Sequence, residues 1–208
     1  MYTLEPKDPK TYTANFDAIY SRLSGIYDFV VRHTPFYNTW VAPAIPLIRG
    51  PRVLEISFGT GWLITHYANR FETYGIDLNQ KMIQITTRNL KAAGITIPLQ
   101  RANIEAIPYR SEVFDTVVNT MAFSGYPRAD RAMSEIRRVL KPGGRLILID
   151  AGWPEDRNWM GSIFTRLVEA TGDILRDMGL IFTQHGFEYR QEVVGLFGSL
   201  YLYIAEKL

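Results

Sequence analysis

The hydrophobic pattern divides the chain into two unequal parts. Between Ala14 and Arg32, apolar residues recur at Phe16, Ile19, Tyr20, Leu23, Ile26, Tyr27, Val30 and Val31, the spacing of one helix face. Asn15, Asp17, Arg22 and Asp28 fall mostly on the other side, Gly25 is a point where the helix can bend, and Pro35 ends the run. Residues 1–12 are polar, carry Pro6 and Pro9, and are expected to be loosely held. Phe36–Arg49 reads as a second helix, interrupted or restarted at Pro43 and Pro46. From residue 51 the rhythm becomes strand, helix, strand, helix. Strands are expected over Arg52–Ile56, Thr73–Asp77, Ile97–Arg101, Phe114–Asn119 and Arg145–Asp150. Helices are expected over Trp62–Arg70, Asn79–Ala93 and Arg128–Leu140, with Gly94 and Lys141-Pro142-Gly143-Gly144 as stops. An irregular stretch containing Trp153, Pro154 and Trp159 leads to a helical pattern over Ile163–His185, ended by Gly186. Phe187–Val194 and Ser199–Ala205 then read as closing strands joined by a turn at 195–198.

This alternation predicts an α/β fold of three α/β/α layers, Rossmann-like, around a seven-stranded, mostly parallel sheet. The closing hairpin makes the last strand antiparallel. Residues 1–50 are expected to form a helical lid and residues 51–208 the core of a single domain. Ligands of such sheets bind beyond the C-terminal strand ends, where strand order reverses. Ser57, Asp77, Asn103 and Asn119 all fall at or just past those ends.

The turn after the first strand, Glu55-Ile56-Ser57-Phe58-Gly59-Thr60-Gly61-Trp62, leads into a helix N-terminus, where backbone N–H groups are free. Three ligand classes use such turns. A phosphate loop needs Lys-Ser/Thr after its second glycine, whereas Trp62-Leu63 follows here. A dinucleotide fingerprint wants a small residue where Ile64 stands. The remaining pattern is acidic-x-Gly-x-Gly-x-Gly with Ser57 in place of the first glycine, suited to a nucleoside with an amino-acid tail.

Composition narrows the classes further. The chain has 208 residues, 47% apolar, and no cysteine, so disulfides, thiolate zinc sites and cysteine nucleophiles are excluded. His33, His66 and His185 lie too far apart in sequence to give metal-ligand spacing. A net charge of +2 with scattered basic residues gives no footprint for nucleic acid. No stretch approaches the ~20 apolar residues of a membrane span, and the first residues lack the features of a secretion signal. The expected location is cytoplasmic, or peripheral at the inner membrane face if the Phe16–Val31 surface meets lipid.

Six segments in order resemble one family. They are Tyr20…Tyr27-Asp28, Val53–Gly61, Gly75-Ile76-Asp77, Ala102–Tyr109, Phe114–Val117 and Arg138–Gly144. Together they resemble the class I S-adenosylmethionine-dependent methyltransferases, in particular the ubiquinone/menaquinone C-methyltransferases and bacterial phospholipid N-methyltransferases. The resemblance implies S-adenosyl-L-methionine as cofactor. It implies that Glu55, Ser57, Gly59, Thr60 and Gly61 shape the loop around the methionine portion and ribose. Asp77 would accept hydrogen bonds from both ribose hydroxyls and Leu78 would pack on adenine. Asn103, where the family usually has Asp, would bond the adenine amino group, and the Ile104 backbone a ring nitrogen. Asn119, Thr120 and Met121 would line the methionine side, while Tyr20 and Tyr27 would close the leading helix over the site. Ser57 departs from the family glycine and puts a side chain where the cofactor passes closest.

Methyl transfer needs alignment and exclusion of water more than it needs a base, and no catalytic base stands out. His33, Tyr27 and Tyr126 are the candidates. An acceptor pocket is expected from His33, Phe123, Tyr126, Trp153 and Trp159, whose aromatic walls suit a quinol or phenol, or a lipid amine such as an ethanolamine phospholipid. A non-catalytic nucleoside-binding protein of the same fold is the competing class. A nicotinamide oxidoreductase is disfavoured by Ile64.

Overall fold

In the computed structural model the centre of the fold is a short strand, β1 (Arg52–Ile56), buried from Val53 onward. The structure describes residues 5–33 and 35–208, with side chains for all of these outside 23–37. β1 pairs in parallel with β2 (Glu72–Asp77) on one side and β4 (Phe114–Thr120) on the other. With β3 (Leu99–Arg101), β5 (Leu140–Ala151), β6 (Phe187–Gly195) and β7 (Leu200–Lys207), the sheet order is β3-β2-β1-β4-β5-β7-β6. β7 is antiparallel to both neighbours, so it alone runs against the other six. Strand order reverses between β1 and β4.

Neighbouring residues of a strand face opposite sides, and both sides are covered. Val53, Val118, Ile147 and Ile149 pack beneath α3 (Trp62–Tyr67), Leu90 of α4 (Gln80–Ala92), Val41 at the end of α2 (Pro35–Val41), and Ala44 just beyond it. Leu54, Ile56, Val117 and Leu146 pack against α5 (Ala129–Val139) and against Phe182 of α7 (Met178–Gln184). The expected three layers and seven strands are therefore present. No helix among the described residues is long and apolar enough to cross a membrane.

Four elements depart from expectation, each for a local reason. α1 (Pro9–His33) begins within the stretch expected to be loose. Asp8 caps it, its carboxylate accepting from the Lys10 and Thr11 amides at 3.0 and 3.3 Å, and Pro9 occupies the first helical position, where proline is favoured. The second helix stops at Val41 and continues as a 3-10 turn through Pro43 and Pro46. β5 pairs from Leu140, opposite Phe114, and absorbs the Lys141–Gly144 turn as an irregularity in register.

The single helix expected over Ile163–His185 is two: α6 (Trp159–Ala170) and α7. Gly172 takes φ of +104°, which ends α6, and Asp177 restarts the helix by accepting from the Leu180 amide at 3.0 Å. β6, at the sheet edge, is exposed over Glu188–Val193 and breaks register between Val193 and Gly195.

Arg138, at the end of α5, fastens the loop after β3 from beneath. Its guanidinium donates to the carbonyls of Tyr109 and Ile107 at 2.8 and 2.9 Å and to Glu135, whose carboxylate accepts from the Ile107 amide. Arg138→Ala strands both carbonyls. It is expected to lower the unfolding free energy by about 1–3 kcal/mol, read from urea denaturation; an unchanged midpoint would deny the fastening role.

Candidate functional site

Two left-handed residues flank the point where strand order reverses. Ser57, just beyond β1, has φ of +53°, and Met121, just beyond β4, has φ of +55°. Non-glycine residues occupy this region at a cost and persist only where their surroundings hold them there. Here the Ser57 amide donates to the Ile76 carbonyl at 2.8 Å and the Met121 amide to the Ile149 carbonyl at 2.7 Å. Both turns carry the chain aside from the sheet and leave a cleft of about 980 Å³, open mouth included, over the strand tips.

The loop after β1 is gripped from outside the cleft by α4. Thr86 donates to the Gly59 carbonyl and Asn89 to the Thr60 carbonyl, each at 2.8 Å. Gly61 has φ of +77°, and a Cβ there would come within 2.4 Å of the Thr86 side chain, so only glycine fits. At the tip of β2, Asp77 accepts from the Gly59 amide at 3.1 Å and from the Asn79 amide at 2.8 Å. Burial pushes its carboxyl up to about 6, against those two bonds, which favour the ionised form. Asn79 caps α4 and also donates to the carbonyl and carboxylate of Asp17, joining α1 to the cleft.

Beneath the loop, Glu55 is fully buried and accepts from the Tyr67 hydroxyl at 2.7 Å. Burial pushes its carboxyl up to about 8, opposed by that hydrogen bond. On the β4 side, Asn119 donates to the Ile56 carbonyl and to the Tyr126 hydroxyl, both at 3.0 Å, and Tyr126 lies 2.7 Å from the Ser57 hydroxyl. A phenol that accepts from Asn119 is satisfied by donating to Ser57, which frees the serine hydrogen for a ligand. Burial raises the Tyr126 phenol well above its ordinary range, so it stays protonated and is no base at neutral pH. The Asn119 side-chain oxygen is buried with no donor.

Ten of the residues singled out from the sequence meet at the cleft wall: Tyr20, Ser57, Gly59, Asp77, Leu78, Asn103, Ile104, Thr120, Met121 and Tyr126. Glu55, Thr60, Gly61 and Asn119 support it from behind. Three of the expected acceptor-pocket residues are elsewhere. Phe123 is core, 1% exposed and edge-on to Tyr126; Trp153 is half-buried with its carbonyl bonded to Tyr201; Trp159 opens α6, 70% exposed. The two tryptophans miss the wall because the chain after β5 packs on the turn between β6 and β7, with Gly152 and Asn158 bonded to Ser199 and Phe197, before returning to the cleft at Asp173. Tyr27 and His33 lie on α1, but their side chains are outside those described. Thr13, Phe16, Asp17, Asn79, Met82, Pro127 and Asp173 also line the cleft and were missed. Asp17 sits on the helix face that reads as polar. Asp173 sits in the break between α6 and α7, signalled only by Gly172.

Comparison with known proteins agrees with this geometry. A methyltransferase domain family matches residues 54–148. Through that segment, somewhat under half of its length, the chain is similar to the methyltransferase-domain family. The ubiquinone/menaquinone biosynthesis C-methyltransferase UbiE of Bordetella avium is 34% identical over 105 residues, 49% of this chain and 41% of that protein. The chain thus spans under half the length of this curated relative. A SAM-dependent methyltransferase of Thermotoga maritima, described as a possible histamine N-methyltransferase, superposes with a TM-score of 0.74 at 18% identity, over 92% of this chain and 99% of that one. The [4+2]-cyclase SpnF gives the same TM-score at 16% identity over 99% of this chain and 98% of its own. These structural likenesses establish a methyltransferase-type fold.

The buried Glu55 sets a pH dependence. The folded chain keeps the Glu55 proton from the ordinary value of 4.5 up to about 8, a range in which the unfolded chain has lost it. Its contribution therefore favours folding most at low pH, and stability falls as pH rises through that window, with a slope approaching ~1.4 kcal/mol per pH unit. Glu55→Gln keeps an acceptor for Tyr67 and cannot ionise. Urea unfolding is expected to show the variant gaining on the wild-type chain as pH is raised from 4.5 to about 8; parallel pH curves would mean that Glu55 is already ionised.

Proposed function

We propose that this protein is an S-adenosylmethionine-dependent methyltransferase acting on a small amphiphilic acceptor, with residues 1–50 as a lid over a catalytic core of residues 51–208. The observation that carries this reading is the cleft at the β1/β4 reversal, with a glycine-bearing loop on one side and a carboxylate at the tip of β2 on the other.

The donor set fits the cofactor. Asp77 offers a carboxylate to a pair of vicinal hydroxyls while the Gly59 and Asn79 amides hold it in place. Asn103 uses one lone pair of its side-chain oxygen on the Glu105 amide and keeps a second lone pair and its amide for an adenine edge. The apolar Leu78, Met82 and Ile104 suit a flat base between them. Ser57, with its free hydroxyl hydrogen, and the partnerless Asn119 oxygen offer a donor and an acceptor to the amino-acid tail. When bound, the cofactor supplies a methyl group on a positively charged sulfur that leaves as a neutral thioether. The chain's own residues orient the reactants and exclude water, Phe16 and Tyr20 of α1 closing the outer side.

The acceptor is a small amphiphile, either a quinol or phenol, as the name of the curated relative suggests, or an amine. A second reading, nucleoside binding without turnover, draws on Ser57, whose side chain stands where the family has glycine. Release of S-adenosylhomocysteine on a panel of phenols and amines separates the two, since binding without release on any acceptor favours the non-catalytic protein.

Calorimetric titration with S-adenosylmethionine is expected to show one site per chain. Asp77→Asn should weaken it by about tenfold to a hundredfold. Affinity should be full above about pH 6 and decline below it, as Asp77 gains its proton and loses an acceptor. No heat of binding, or an affinity indifferent to Asp77→Asn, would overturn the reading.

A further inference from the structure

The cleft has two chemically different ends. The end over the tips of β2 and β3 carries Asp77, Asn79 and Asn103, assigned above to the cofactor. The other end lies beyond the tips of β4 and β5 and carries Asp173 between Gly125 and the aromatic face of α1. The Phe16 ring lies against Gly125 and Gly172, within 3.4 and 3.3 Å of where a Cβ would stand, and Tyr12 and Tyr20 flank it at ring separations of 4.8 and 6.3 Å.

Asp173 is held but not neutralised. Its Oδ2 accepts from the Thr171 hydroxyl, and its Oδ1 lies 2.8 Å from the Ser124 hydroxyl. That hydroxyl is also 2.9 Å from Asp150, and one hydrogen serves one carboxylate at a time. Asp150 is buried and takes two further bonds, from the Ser124 and Ala151 amides. The nearby guanidinium of Arg176 donates to the carbonyls of Tyr126, Phe123 and Ile174, and its charge is felt by Asp150 but it forms no ion pair with Asp173. Among the described residues Asp173 has no cationic partner. Among the described residues, the three charged ones lining the cleft, Asp17, Asp77 and Asp173, are all acids. An anionic acceptor would meet repulsion there, and a neutral one would leave the charge uncompensated. A cation would pair with the carboxylate and lie over aromatic faces.

We infer that Asp173 is the specificity-determining residue of the acceptor end and selects a molecule carrying a protonated amine. This rests on the methyltransferase reading and names the acceptor class within it.

The test compares two probes of one shape, 2-phenylethylamine and 2-phenylethanol, titrated at low salt and neutral pH against the wild-type chain, Asp173→Asn and Asp17→Asn. The wild-type chain is expected to bind the amine at least about tenfold more tightly than the alcohol. Asp173→Asn should bring that ratio close to one, whereas Asp17→Asn should preserve it. Equal binding of the two probes by the wild-type chain overturns the assignment without need of any variant, as does a ratio that survives Asp173→Asn. S-adenosylmethionine is titrated in parallel. If it binds while the amine preference is absent, only the role of Asp173 falls; if it does not bind, the methyltransferase reading falls first.

Discussion

One buried carboxylate fixes the parts of the site relative to each other. Asp77 accepts from the amide of Gly59, in the loop after β1, and from the amide of Asn79, at the start of α4. Asn79 in turn holds Asp17 of α1. Two crossovers and the leading helix therefore take their positions from a single group whose own burial is unfavourable to its charge. That cost is tolerable because both oxygens are hydrogen-bonded. The carboxylate is left oriented toward the cleft with lone pairs still to satisfy, a condition that a ligand with two adjacent hydroxyls relieves.

The sheet was legible in the sequence because its central strands, β1, β4 and β5, are apolar on both faces and its turns carry strong stop signals. The glycine-bearing loop, Asp77, Asn103 and Asn119 were legible because polar residues at the ends of apolar strands have few other uses. What escaped was what depends on tertiary placement. Pro9 reads as a breaker until Asp8 is seen to cap the helix it starts. The break at Thr171–Asp177 is hidden inside apolar spacing that suits one long helix, so Asp173 reads as an exposed helical acid. Trp153 and Trp159 read as pocket walls because large aromatics beside a site usually are; the path of the chain after β5 decides otherwise.

Electrostatically the cleft is lopsided. Asp17, Asp77 and Asp173 line it, and no lysine or arginine side chain lines the wall among the described residues. Arg176, the nearby cation, is turned onto the backbone carbonyls of Tyr126, Phe123 and Ile174 and holds those loops in place. A ligand with positive charge, as a sulfonium or an ammonium, meets a field already formed.

The far border of the sheet has a consequence of its own. β6 offers a row of unpaired backbone groups to solvent, the arrangement by which sheets of separate molecules fuse into larger ones. Glu188, Arg190 and Glu192 punctuate that row with charge, and the slip in register before Gly195 bends its end away. An arriving strand would have to strip water from three ionised side chains before gaining any ladder bonds. Edge-to-edge pairing from this margin is therefore disfavoured.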